Sequence, residues 1–174
     1  LISDFVADFM NTDRNSRVFC AIDTVDIDLA VSIVEEVREH IAGVKLGLEF
    51  FGRHGPNGVH RLLGLGTSIF LDLKFFDIPN TVAGAVTAVA SCRPSLITLH
   101  AAGGENMIKA AVDSNKEAAL RLGMEPPTLL GVTVLTSFGQ RDLASLGVKG
   151  TVDDQVLRLA ELLDQLEETK ADLE

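Results

Sequence analysis

Residues that build disulfide frameworks, metal centres and membrane spans are scarce in this chain. Two cysteines, Cys20 and Cys92, stand among 174 residues. They have no ligand spacing and lie beside expected strand or helix ends, so core thiols in a reducing compartment are expected. The four histidines, at positions 40, 54, 60 and 100, show no metal spacing. Basic residues are few: 15 against 25 acidic, a net charge of −10. That balance argues against nonspecific binding to nucleic acid or anionic membrane, though a local cluster can still hold a small anion. Much of the acidic excess lies in residues 151–174, with eight acids and two bases. No apolar run reaches membrane length and no basic segment leads into an apolar stretch, so a soluble cytoplasmic protein is expected. No G-x-G-x-x-G fingerprint follows the first expected strand, which disfavours a dinucleotide fold.

Apolar residues make up 47% of the chain, enough for one domain with a real core. Short, nearly continuous apolar runs are expected as strands at Val18–Ile22, Gly43–Leu48, Ser68–Leu73, Leu96–Leu99 and Leu129–Leu135. Helical patterns separate them: Asp26–His40, Glu49–Leu65 with an interruption at Gly55-Pro56, Ile78–Ala90 and Glu105–Leu122. A short helix is expected over Arg141–Leu146. Strands recurring between helices form the βαβ pattern of a parallel sheet. The last element differs. Val152, Val156, Leu159, Leu163 and Leu166 are spaced four, three, four and three, which predicts an amphipathic helix over 152–169 with Thr151 as N-cap. No sixth strand follows, and residues 165–174 read as an acidic helical tail.

The run from Phe70 to Thr81 is the most informative. It is apolar enough for a buried strand, yet holds Asp72, Lys74 and Asp77. Buried charges are costly unless paired. On a regular strand Asp72 and Lys74 point to the same side, and Ile78-Pro79 reads as the start of a helix. Polar residues also mark the other strands: Asp23, Lys45, His100, then Thr133 and Thr136. One polar group per strand end is the pattern of the catalytic face of a β/α barrel, and it also suits an open doubly wound sheet. Several roles remain open here. Asp23 serves a site or caps the helix near Asp26. His100, before Ala101-Ala102-Gly103-Gly104, packs internally or meets ligand. Thr136-Ser137 binds a polar substrate or caps the next helix. Lys45, inside an apolar strand, needs a partner such as Asp72.

These motifs resemble the bacterial-type orotidine 5′-phosphate decarboxylase family. The resemblance runs from about Val18 to about Leu163. It rests on Ala21-Ile22-Asp23, Val44-Lys45-Leu46-Gly47, the string Asp72 to Thr81, Leu99 to Gly104, and Gly131 to Ser137. It implies a TIM (β/α)8 barrel, a homodimer, and conversion of orotidine 5′-monophosphate to UMP in pyrimidine synthesis without metal or organic cofactor. By resemblance, Lys45, Asp72, Lys74 and Asp77 form the alternating charged network, with Lys74 at the reacting carbon. Asp77, Ile78 and Thr81 serve the neighbouring subunit's site. Asp23 matches a ribose contact, and Thr136, with Ser137, lies beside the pyrimidine.

Two departures from the family are visible. Phe76 stands where many members have histidine. The match also stops after the helix carrying Leu159 and Leu163, so the resemblance covers about five to six β/α units of a C-terminally incomplete barrel domain spanning 1–174. The family's later strands and phosphate-binding loop have no counterpart, and Arg93, Arg121 and Arg141 do not match the phosphate-binding role. Two other functions fit parts of the pattern. One is an inactive partial barrel acting through association. The other is a related 3-keto-sugar-phosphate decarboxylase using Mg²⁺, against which the Asp72–Thr81 and Thr133–Ser137 strings argue.

Overall fold

Five strands, each followed by an α-helix and the last by two, run along residues 18–171, the portion described by the structure, a computed structural model. The strands are β1 (Phe19–Ile22), β2 (Gly43–Gly47), β3 (Ser68–Phe75), β4 (Leu96–His100) and β5 (Thr128–Val132). The helices are α1 (Ile27–Val37), α2 (Leu48–Leu63), α3 (Pro79–Ala90), α4 (Gly104–Leu122), α5 (Gln140–Ser145) and α6 (Val152–Ala171). The sheet order is β1-β2-β3-β4-β5. The β1–β2 and β2–β3 pairings are parallel. Sequential order with a helix after each strand is the connectivity of a β/α barrel, here with five strands.

The chain divides into two compact units. One runs up to Leu73 and includes Ser91–Ile97; the other comprises Lys74–Ala90 and the chain from Thr98.

In the first unit, Phe19 stands level with Gly43, and Gly43 with Ser68. A Cβ on Gly43 would come within 2.5 Å of the Ser68 carbonyl oxygen, so only glycine lets β2 lie this close. Ile22, Val44, Leu46, Ile69 and Leu71 are fully buried, as are Val34 of α1 and Phe50 and Leu62 of α2. Asp26 caps α1, its Oδ1 accepting from the N–H groups of Asp28 (2.9 Å) and Leu29 (3.1 Å). The helix expected to reach His40 ends at Val37, and a 3-10 turn covers Arg38–His40. The interruption expected at Gly55-Pro56 is a kink within α2, with Gly55 at φ 55°. The Ser95 N–H and hydroxyl both donate to Ile69 O, at 2.8 and 3.0 Å, which ties Ser91–Ile97 to β3.

In the second unit, Val82 and Val86 of α3, Leu99 of β4, and Met107, Ile108 and Ala111 of α4 form a buried cluster. Leu129 of β5 and Leu162, Leu163 and Leu166 of α6 pack against it. The apolar stripe read from α6 is therefore core-facing. Thr151 caps α6 as expected: its hydroxyl accepts from Asp154 N–H (3.1 Å), and Asp154 Oδ2 accepts from Thr151 N–H (2.8 Å). This is a reciprocal capping box. Of the tail expected over 165–174, the stretch to Ala171 belongs to α6, and 172–174 lie outside the described residues.

Two strands end two or more residues from expectation. β3 continues past Leu73 to Phe75, and β5 stops at Val132 rather than Leu135. Thr133-Val134-Leu135 is apolar and β-branched, but it leaves the ladder for a turn closed by Phe138 N–H to Leu135 O at 2.9 Å.

Candidate active site

In the first unit the charged residues sit on neighbouring parallel strands. Lys45 is level with Ala21 and Phe70, and Asp72 is level with Gly47. Side chains two apart on a strand share a face, so Lys45 reaches along the sheet toward a carboxylate one step higher. Gly47, opposite Asp72, offers no side chain there. Lys45 Nζ lies 3.5 Å from Asp72 Oδ2, with the side chains 27% and 14% exposed. The partner that an ammonium in an apolar strand requires is thus present. Asp23 follows β1 and is exposed. It does not cap α1, because Asp26 takes that role.

The second unit begins at Lys74. Along β3 burial alternates: Ile69, Leu71 and Leu73 are buried, whereas Phe70, Asp72 and Lys74 are partly exposed. Lys74 itself has φ 51°, a left-handed backbone that costs a non-glycine residue on the order of 1–3 kcal/mol and persists only where the surroundings enforce it. Its N–H donates to Thr98 Oγ1 at 2.9 Å. His100 ends β4 and is half-buried, and the Phe76 ring lies 5.6 Å away, tilted by 52°. Burial first, and the Lys74 ammonium second, hold the His100 pKa below the usual imidazole value. Near neutral pH this ring is therefore uncharged, with one donor and one acceptor nitrogen.

Past β3 the chain turns into α3. Pro79 is the first helical residue, where no N–H is needed. Ile78 O accepts from the N–H groups of Thr81 (3.0 Å) and Val82 (3.2 Å). Asp77 Oδ1 accepts from Ile78 N–H at 2.7 Å. Phe76 and Ile78 are 61% and 66% exposed, and Asp77 and Thr81 are exposed beside them. Thr136 and Ser137 form the exposed tip of the turn after β5. They do not cap α5, which starts at Gln140 after Gly139, whose N–H donates to Asp142 Oδ2 at 2.7 Å.

Two participants escaped the sequence reading. Thr98 is 4% exposed and bonds the Lys74 amide. Its only signal was a hydroxyl inside the apolar run Leu96-Ile97-Thr98-Leu99. Phe76, noted in the sequence only as a departure from the family, packs on His100.

A five-stranded sheet in sequential order, each strand followed by a helix, is an α/β fold consistent with a partial β/α barrel. Residues 16–168 match the family described as orotidine 5′-phosphate decarboxylase / HUMPS, and the chain belongs to that family. It is 49% identical over 146 residues to orotidine 5′-phosphate decarboxylase of Rhodospirillum rubrum, covering 83% of this chain and 59% of that protein. A solved structure of the decarboxylase from Lactobacillus acidophilus matches with a TM-score of 0.76 at 35% identity, covering 83% of this chain and 65% of that one. An uncharacterized conserved protein from Geobacillus kaustophilus matches with a TM-score of 0.79 at 32% identity, covering 85% and 69%. The chain thus spans about three-fifths of the length of the curated relatives it matches.

Proposed function

We propose that this chain carries the charged half of an orotidine 5′-monophosphate decarboxylase site, which releases CO₂ and forms UMP. The observation that carries this reading is the end of β3. There Asp72 is held by Lys45, and Lys74, two residues on, adopts a strained left-handed backbone. Strain of this kind clusters at functional sites.

In the proposed reaction the bond from C6 of the pyrimidine to its carboxylate breaks. Its electron pair stays on C6 and CO₂ departs. The resulting carbanion has no adjacent carbonyl to accept the charge, so a fixed cation at C6 is the main source of stabilisation. Lys74 supplies that cation, then transfers an ammonium proton to C6 and is left neutral until it is reprotonated by solvent. Asp72 stands near the departing carboxylate and holds Lys74. Lys45 orients Asp72 and contacts the ribose, as does Asp23. Thr136 and Ser137 flank the pyrimidine. Asp77, Ile78 and Thr81 reach the site of a second copy in a homodimer, a role that suits their exposure. The chemistry requires no metal or organic cofactor. Substrate phosphate is held by parts of the barrel beyond the matched segment, and its binding energy is used at the reacting carbon.

The test is UMP formation by the 174-residue chain without added metal, beside a Lys74→Ala variant. Low but measurable turnover is expected, falling at least about a thousandfold in the variant. Equal rates from the two proteins would remove Lys74 from the chemistry and with it this reading.

A further inference from the structure

We propose that Thr98 is a positioning residue for Lys74, its buried hydroxyl holding the Lys74 amide in the left-handed conformation that sets where the ammonium stands. The proposal deepens the decarboxylase reading and rests on it for its functional consequence.

The argument begins with the backbone. A lysine has no intrinsic reason to adopt φ 51°; the left-handed region disfavours every residue with a Cβ. Some neighbouring group must therefore make the alternative worse. At this position the N–H of Lys74 goes to a side-chain hydroxyl, Thr98 Oγ1, at 2.9 Å. That acceptor is well suited to the task. Thr98 is 4% exposed and lies in β4 between fully or nearly fully buried Ile97 and Leu99. Its β-branched side chain is stiff about χ1, so the oxygen is fixed by packing. If Lys74 relaxed to an ordinary extended conformation, its amide would leave this acceptor and a partly buried hydrogen bond would be lost. The hydroxyl thus couples the shape of β4 to the aim of a side chain on β3. The substitution Thr98→Val keeps nearly the same shape and removes the hydroxyl that accepts the Lys74 N–H, and Thr98→Ser restores that hydroxyl.

His100 provides an internal reporter. It lies two residues beyond Thr98, and the Lys74 charge contributes to its lowered pKa. A Lys74 that drifts from its place changes that contribution.

The experiment compares the full chain with its Thr98→Val and Thr98→Ser variants by three readouts. In Thr98→Val, exchange of the Lys74 amide is expected to accelerate about tenfold, the scale of one lost hydrogen bond. The His100 titration, followed through its imidazole proton resonance, is expected to move up toward the ordinary histidine value. Decarboxylation is expected to lose kcat with little change in KM. Thr98→Ser keeps the hydroxyl and is expected to restore all three. Wild-type exchange and titration in folded Thr98→Val would overturn the clamp, as would a Thr98→Ser variant that behaves like Thr98→Val. The first two readouts need no substrate, so they judge the clamp separately from the decarboxylase reading. A loosened Lys74 amide with unchanged kcat would confine Thr98 to a structural role and overturn the positioning claim.

Discussion

Lys45 and Asp72 meet because parallel register sets them one step apart on the same face. Neither is fully exposed, so each depends on the other for part of its solvation. Lys45→Met should destabilise the protein by about 2 kcal/mol, since it leaves a mostly buried carboxylate without that cation. A double-mutant cycle with Asp72→Asn should return a coupling of about 1 kcal/mol or more by urea denaturation. Additive effects would show that the two side chains are merely neighbours. This partnership was readable from the sequence, because an apolar strand cannot tolerate a lone ammonium. The left-handed turn at Lys74 was not readable. Such positions usually signal themselves by glycine, and here the fold enforces the conformation on a lysine. Thr98 was hidden for a related reason: threonine is common in strands for its branched shape, so its hydroxyl drew no notice. A consequence for pH follows at His100. Its folded pKa is depressed, so the native state resists protonation. The stability it permits is complete above the ordinary histidine value and declines as pH falls from there toward the lower folded value. His100→Gln should flatten that part of the pH–stability curve, measured by denaturation between about pH 7 and 5.

At the level of elements, α6 shows how local chemistry and packing agree. Thr151 and Asp154 close its first turn reciprocally, while Leu162, Leu163 and Leu166 meet the core of the second unit. Thr151→Ala should cost about 1 kcal/mol of stability. Bonds from the Thr151 N–H and hydroxyl hold the Asp154 carboxyl below its usual pKa. Its contribution is therefore present above the ordinary carboxylate range and is lost as pH falls through the lower folded value. Asp154→Asn should accordingly lose less stability than wild type between about pH 5 and 2 in a thermal-melt series. Helix α6 also approaches β5 closely. A Cβ on Gly131 would crowd Leu163 Cδ1 at 2.3 Å, so Gly131→Ala should push the leucine aside and cost about 1–3 kcal/mol. The five strands were visible as short apolar runs and the α-helices as the segments between and after them, and the kink at Gly55-Pro56 was marked by its residues. Strand ends were less visible because a ladder stops where its partner stops. Thr133-Val134-Leu135 has strand composition but turns away after Val132, whereas β3 carries on past Leu73 through Lys74 to Phe75.

For the whole molecule, the decisive quantity is how much of the barrel one chain provides. The sheet order leaves β1 and β5 with one neighbour each among the described residues, while the matched relatives extend well beyond the shared region. In the proposed site Lys45 comes from β2 and Asp72 and Lys74 from β3, while the proposed phosphate contacts lie outside these residues. Of the arginines weighed for that role, Arg121 is engaged with Glu117 at 3.2 Å. Binding energy from a remote phosphate lowers a barrier only when phosphate and reacting carbon are gripped by one preorganised body. The 174-residue chain alone should thus turn over orotidine 5′-monophosphate at least about a hundredfold more slowly than a full-length relative. Adding the remaining segment of such a relative as a separate polypeptide should recover part of the difference, chiefly in kcat/KM, and the recovered rate should vanish with Lys74→Ala. Orotidine lacking the phosphate separates the two contributions: the chain alone should process both compounds at similar kcat/KM, and the reconstituted protein should prefer the phosphorylated one. A chain that favours the phosphorylated substrate without any added segment would show that its own residues grip the phosphate, and the division of labour argued here would fail.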